Sequence, residues 1–130
     1  MKRLIAIAAA SLALAGCASE FSVPVTGVLG NQSAQGAATA RMSGDGTFFV
    51  STASGLRCEG TYDSLSRAPT IEAPVTCSDG RSGRLVITRT MNMVSGTVIG
   101  QLNDGTPGRF VFGDLTFDQA FGDGGGARIR

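Results

Sequence analysis

From Ser22 to Gly113 the apolar residues come in short runs interleaved with polar ones, and helical spacing is nearly absent. Alternation with period two marks a half-buried strand, because successive side chains point to opposite faces. The pattern predicts eight strands, over 22–30, 35–43, 46–53, 55–63, 69–77, 83–91, 93–103 and 108–113. It is cleanest in the fourth, where Leu56, Cys58, Gly60 and Tyr62 face one way and Arg57, Glu59, Thr61 and Asp63 the other. In the fifth, Ile71, Ala73, Val75 and Cys77 oppose Thr70, Glu72 and Thr76. In the second, Gly36, Ala38, Ala40 and Met42 share a face, and in the seventh Val94, Gly96, Val98, Gly100 and Leu102 do so. Of Phe48 and Phe49 only one can point inward, so the pair reads as core and cross-strand packing, together with Tyr62.

Asp-Gly pairs fall between apolar runs at Asp45-Gly46, Asp79-Gly80 and Asp104-Gly105. Asp-Gly tolerates the positive φ of a two-residue type I′ turn, so each predicts a hairpin. One internal repeat stands out: Ser78–Ile87 aligns with Asn103–Phe112 at a spacing of 25 residues, sharing Asp-Gly-x-x-Gly-Arg-apolar-Val-apolar. Consecutive hairpins of this kind make an antiparallel meander. The expected fold is all-β, with about eight short strands curled into a barrel or a barrel-like sheet. Inward glycines permit the tight curvature, and pairing of the first strand with the last decides between the two forms. Beyond the strands, Thr116-Phe117-Asp118-Gln119 has capping-box spacing, with Phe117 and Phe121 four apart, which predicts one helical turn ended by Gly122. The Gly-rich, Arg-ended residues 122–130 are expected to be disordered.

The N-terminus follows a different grammar. Lys2 and Arg3 precede an apolar stretch from Leu4 to Leu14, then the small residues Ala15 and Gly16, then Cys17. This is the order of an export signal, helical in the precursor, and it is short of the ~20 residues that span a bilayer. Leu14-Ala15-Gly16-Cys17 resembles the lipobox of bacterial lipoproteins. The resemblance covers residues 1–17. It implies cleavage before Cys17, lipid on its thiol, and anchoring to the membrane through that lipid; two or more acyl chains suffice for stable anchoring. Ala18 and Ser19 stand where an aspartate favours inner-membrane retention in enterobacterial lipoproteins, so the resemblance favours the outer membrane, facing the periplasm. The expected organisation is a signal over 1–16, a lipidated Cys17 with a short tether over 17–21, a β domain over 22–113 and a tail over 114–130.

Composition narrows the function classes. Of 130 residues, removal of the signal leaves 114, one domain with a modest core. The remaining cations are nine arginines against ten acids, about −1, which argues against nucleic acid. With Cys17 assigned to lipid, Cys58 and Cys77 remain as a pair. Both lie on apolar strand faces, in a chain bound for an oxidising compartment, and they read as one disulfide. No CxxC spacing or histidine supports a metal or redox role for them.

The usual catalytic bases and nucleophiles are scarce: there is no histidine, and the only lysine is Lys2. Glu59, Asp63 and Glu72 form a candidate carboxylate group near the disulfide, but their strand parity places them on solvated faces. Single aspartates in separate turns, or Gly122–Gly126, do not supply the six to eight oxygens of a calcium site. Arg84 and Arg109 recur in the repeat and read either as an anion patch or as groups that cap hairpin carbonyls and blunt strand edges. No cofactor or metal is expected. The expected function is a non-enzymatic envelope lipoprotein, a binding module for an envelope protein or the cell wall, or a structural element. The alternative is an inhibitor of an envelope-attacking enzyme such as lysozyme or a protease. Lipidated, disulfide-bonded β-barrel lysozyme inhibitors are similar in architecture, but Cys58 of Ser54-Gly55-Leu56-Arg57-Cys58 stands where their motif has tyrosine.

Overall fold

A computed structural model describes residues 20–122. The signal segment, Cys17 and most of the tether, and the Gly-rich end after Gly122 lie outside the described residues. The eight strands are β1 (Glu20–Leu29), β2 (Gln32–Arg41), β3 (Asp45–Thr52), β4 (Arg57–Asp63), β5 (Thr70–Cys77), β6 (Ser82–Arg89), β7 (Gly96–Leu102) and β8 (Pro107–Phe112). Each pairs antiparallel with the next, and β1 closes on β8 from Val25↔Phe112 to Leu29↔Gly108. The fold is a closed up-and-down barrel. Closure gives every strand a partner on both sides, over part of its length between β4 and β5.

The alternating pattern puts one face of every strand inside. Val25, Leu29, Ala34, Val50, Cys58, Ala73, Val75, Cys77, Leu85, Ile87, Val98, Leu102, Phe110 and Phe112 form one buried cluster. Fully burying an aliphatic or aromatic side chain stabilises by ~1.5–3 kcal/mol, so this interior dominates the stability of the fold.

Several predicted boundaries move. β1 starts at Glu20, two residues early, and β2 starts at Gln32 and ends at Arg41. Met42 therefore leaves the inward face and stands 75% exposed in the turn. β7 starts at Gly96, so Val94 belongs to the preceding loop, where Met93 takes a positive φ of 67°. Asp45-Gly46 opens β3 rather than forming a turn; the turn glycine there is Gly44, at φ 97°.

The other two Asp-Gly pairs do turn the chain, but in three-residue loops rather than two-residue type I′ turns. Gly80 N–H donates to Cys77 O (2.9 Å) and Cys77 N–H to Arg81 O (2.8 Å); Gly105 and Leu102 repeat this with Thr106 (both 2.9 Å). In these two loops the aspartate supports that form. Asp79 Oδ1 accepts the Arg81 amide and Asp104 Oδ1 the Thr106 amide, so each closes on the backbone two residues on and only the glycine takes a positive φ. Thr52–Leu56 has the same two backbone bonds. The register pairs Ser51↔Arg57, Thr76↔Ser82 and Gln101↔Pro107 bracket the three loops. Gly30, Gly55, Gly80 and Gly105 all have positive φ. The spacing of 25 thus runs through all four hairpins at this end, two more than the sequence reading recovered, although the first has a two-residue loop from Leu29↔Gln32.

The up-and-down order separates two ends. One carries these four hairpins. The other carries the β2–β3, β4–β5 and β6–β7 loops, the start of β1 and the exit from β8. After β8 the chain forms a short helix, α1 (Phe117–Phe121). Thr116 and Gln119 cap it reciprocally, Gln119 N–H to Thr116 Oγ1 at 3.1 Å and Thr116 N–H to Gln119 Oε1 at 2.9 Å. Among the described residues no helix is long and apolar enough to cross a membrane.

Candidate functional site

The barrel interior is not completely filled by its own side chains. A cavity of about 110 Å³ runs through it, lined chiefly by aliphatic and aromatic groups including Val25, Ala38, Phe48, Val98 and Phe110. Its polar wall residues, Tyr62, Ser64 and Arg89, come from the last residues of β4 and β6 and the chain just after β4, at the loop end. At the hairpin end Leu29, Ala34, Thr52, Leu102 and the disulfide are all buried, and Leu29, Leu102 and Cys58 are part of the cavity wall.

Sequence parity explains the mouth. Leu85, Ile87 and Arg89 follow one another at spacing two, so the strand that carries the core through β6 ends on an inward cation. Arg89 Nη2 donates to the carbonyls of Ser66 (2.8 Å) and Ala68 in the β4–β5 loop. Its Nε is buried without a partner among the described residues. Tyr62 ends the inward series of β4, its ring 6.5 Å from that of Phe48 and laid over Gly46, the residue opposite. Burial raises the Tyr62 hydroxyl above its ordinary pKa, against the opposing pull of the Arg89 and Arg41 charges.

The seam beside this mouth is open by construction. β4 and β5 pair over only Cys58–Gly60 with Val75–Cys77. Pro74 has no N–H to extend the ladder, and the β4–β5 loop, held by Arg89, spans the gap.

Large apolar side chains crowd the same end. Phe21, Met42, Leu65, Met91 and Val94 are each at least 36% exposed, and all five lie at the loop end. Only Val86 and Ile99, paired across β6 and β7, are comparably exposed elsewhere among the described residues. Single exposed apolar groups are ordinary; here five gather at one end, and two of them, Phe21 and Val94, line the cavity.

No known protein-family model, curated protein or solved structure matches this chain at a significant level. The site is therefore read from its own geometry.

The residues singled out in the sequence are placed as follows. Cys58 and Cys77 are directly opposed on β4 and β5 and form a disulfide, with Cα atoms 3.9 Å apart and both residues buried. Glu59, Asp63 and Glu72 are all exposed. Glu59 pairs with Arg57 (3.4 Å), Glu72 with Arg84 (3.8 Å), and Asp63 Oδ1 accepts the Leu65 amide (3.0 Å). None of the three lines the cavity. Arg109 lies 5.6 Å from the ring of Phe121 and 6.0 Å from that of Phe117, so it seats α1 on β8, while Arg84 stays on the outer face two strands away. Ser54 and Gly55 are in the β3–β4 turn, with Ser54 Oγ donating to Gln32 Oε1 (2.9 Å). Cys17 lies outside the described residues.

Two arginines that the sequence reading passed over organise the two ends. At the mouth it is Arg89; the signal was a cation on the apolar parity of its strand. At the hairpin end it is Arg81, which donates to Asp79 Oδ2 (2.8 Å), Asp104 Oδ2 (3.0 Å) and Thr106 Oγ1 (3.1 Å) and so ties the β5–β6 hairpin to the β7–β8 hairpin. Hydrogen bonds from the Thr106 hydroxyl and amide, then from Arg81, hold Asp104 down to about 2. Asp79 is lowered by the Arg81 amide first. A lowered carboxylate contributes stability that is complete above its ordinary pKa and lost as pH falls toward the folded value. Stability should therefore fall between pH 3.8 and about 2 as this clamp protonates. The Asp104→Asn protein should start less stable at neutral pH and show a shallower fall across that window, read as the urea midpoint against pH. Parallel curves for the two proteins would exclude Asp104 from the acid response.

Proposed function

We propose that this protein is a bacterial envelope lipoprotein, held to the membrane by lipid on Cys17, whose barrel is a non-enzymatic binding module. The observation that carries the reading is a coincidence of position. β1 begins at Glu20, only three residues after Cys17, at the end where the cavity opens and the exposed apolar side chains gather. Three extended residues reach at most about 11 Å, so a lipid on Cys17 holds the loop end against the bilayer. Phe21, Met42, Leu65, Met91 and Val94 then meet the interface, where amphipathic anchoring gains from buried apolar area.

The reading as a binder rather than an enzyme is supported by the cavity wall. Its ionisable groups are Tyr62 and Arg89. General acid–base chemistry near neutral pH needs a group that titrates there, whereas Tyr62 is shifted further from that range by burial. An apolar cavity with a few convergent polar groups is the usual form of a small-molecule site. It favours a small apolar ligand over the envelope protein or cell-wall partner expected from composition.

Metabolic labelling with radioactive palmitate tests the anchor. The native chain should take up label and start at Cys17, and Cys17→Ser should stay unlabelled at full precursor length. An unlabelled native chain, or label retained by the variant, would overturn the assignment.

A further inference from the structure

We propose that the barrel cavity binds one single-chain carboxylate amphiphile, its chain among the inward aliphatic residues and its carboxylate at Arg89. The inference rests on the binding-module reading but not on lipid at Cys17.

Size and polarity define the chain. At about 110 Å³ the cavity is somewhat smaller than the ~150 Å³ apolar protein cavity that stays dry and takes benzene. On that scale it holds about four carbons of one narrow chain, the rest of a longer chain and its head lying in the mouth, and not two chains or a fused ring system. Ordered water would need two to four polar partners, and below the mouth the wall offers Val25, Ala38, Val50, Val98 and Leu102. The cavity opens beside the exposed apolar side chains at the loop end, so a chain can enter directly from a lipid phase.

Charge defines the head. Among the described residues Arg41, Arg57, Arg81 and Arg84 each pair with a carboxylate, Arg109 lies over the α1 rings, and Arg67 is exposed away from the cavity wall. Arg89, on the cavity wall, has only carbonyl partners for Nη2 and none for its buried Nε. A buried cationic donor without an acceptor is rare in folded proteins. No carboxylate among the described residues offsets this guanidinium; a carboxylate brought to the mouth would pair with its charge, and a charge-assisted bond there is stronger than a neutral one. Tyr62, at the same mouth, adds a hydroxyl that can donate to the second carboxylate oxygen; the Ser64 hydroxyl already donates to the Arg41 carbonyl (2.8 Å).

The test uses the full protein as isolated from membranes, in phosphatidylcholine nanodiscs. Binding of carboxyl-labelled octanoate is followed by carbon NMR against empty nanodiscs. A chain found to carry no lipid is measured in buffer instead, so failure of the anchor assignment leaves this experiment intact. Octanoate should give a saturable shift of its carboxyl resonance beyond that of the discs. Arg89→Gln should weaken octanoate binding roughly tenfold while leaving octanol, followed by the same method, unchanged. Ala38→Leu, which fills the cavity, should abolish binding of both without lowering the melting temperature; Ala40→Leu serves the same purpose should the first variant fail to fold. No saturable shift, equal octanoate affinity in Arg89→Gln, or unchanged binding in a folded cavity-filling variant would each overturn the proposal.

Discussion

Replacing Gly36 with alanine should destabilise the barrel by more than ~3 kcal/mol, beyond the usual range for overpacking a core. Gly36 lies in the middle of β2, paired to Val25 on one side and Val50 on the other. A Cβ built there would stand 1.8 Å from the Phe49 carbonyl oxygen and 2.9 Å from Val50 Cα. Both are backbone atoms, so no side-chain rotation relieves the clash. The strand must move, and ladder bonds on both sides go with it; each is worth ~0.5–1.5 kcal/mol net and more when left unsatisfied. Against a total of ~5–15 kcal/mol, the variant should melt at least about 12 °C lower or fail to accumulate as folded protein. Gly55→Ala is the control. Its Cβ meets nothing within 4 Å, although its φ of 95° suits glycine, and it should cost only ~1–2 kcal/mol. Thermal melts followed by circular dichroism compare the two; equal losses would mean that strand crowding is not what requires Gly36.

Removing the disulfide should have an effect of similar size. Cys58→Ala with Cys77→Ala opens a loop of sequence separation 19, for which chain entropy predicts a loss of ~3 kcal/mol. Two buried sulfurs also leave the core beside Val50 and Val75. The position makes the link matter more than its loop length suggests. β4 and β5 share the shortest ladder of the barrel, three residue pairs, and the cystine is one of them. The double variant should melt ~12–24 °C below the native protein, and reducing agent should move the native melt in the same direction. A change of only a degree or two would show that the other seven strand interfaces hold the barrel shut unaided.

Much of this architecture was legible in the chain. Leu56–Asp63 and Ile71–Cys77 alternate so regularly that their inward residues, and hence the facing cysteines, follow from parity alone. The closing loops of Asp79-Gly80 and Asp104-Gly105 were recognisable as turns because aspartate and glycine have local reasons to be there. Their type was not, since it depends on whether the carboxylate or the backbone takes the amide two residues on. Strand ends such as Arg41 and Gly96 were missed because pattern continues past the point where a partner strand stops. Within the site, Arg89 was visible as a cation on an apolar parity, but its meaning was not. Nothing local says that the β4–β5 loop will cross to it or that its Nε will be left alone.

By itself the sequence determined the strands, which face of each turns inward, the pairing of Cys58 with Cys77 and the lipobox-like run ending at Cys17. These depend on neighbours one or two residues away, or on a parity that survives any arrangement of a meander. The tertiary structure alone decided that β1 closes on β8, that a cavity remains inside, and that its mouth, Arg89, the exposed apolar side chains and the start of β1 share one end. Closure and cavity volume are sums over all eight strands, set by stagger, curvature and how glycines and large side chains interdigitate. No single segment carries that information, because each contact joins residues whose separation in the chain says nothing about their distance in space.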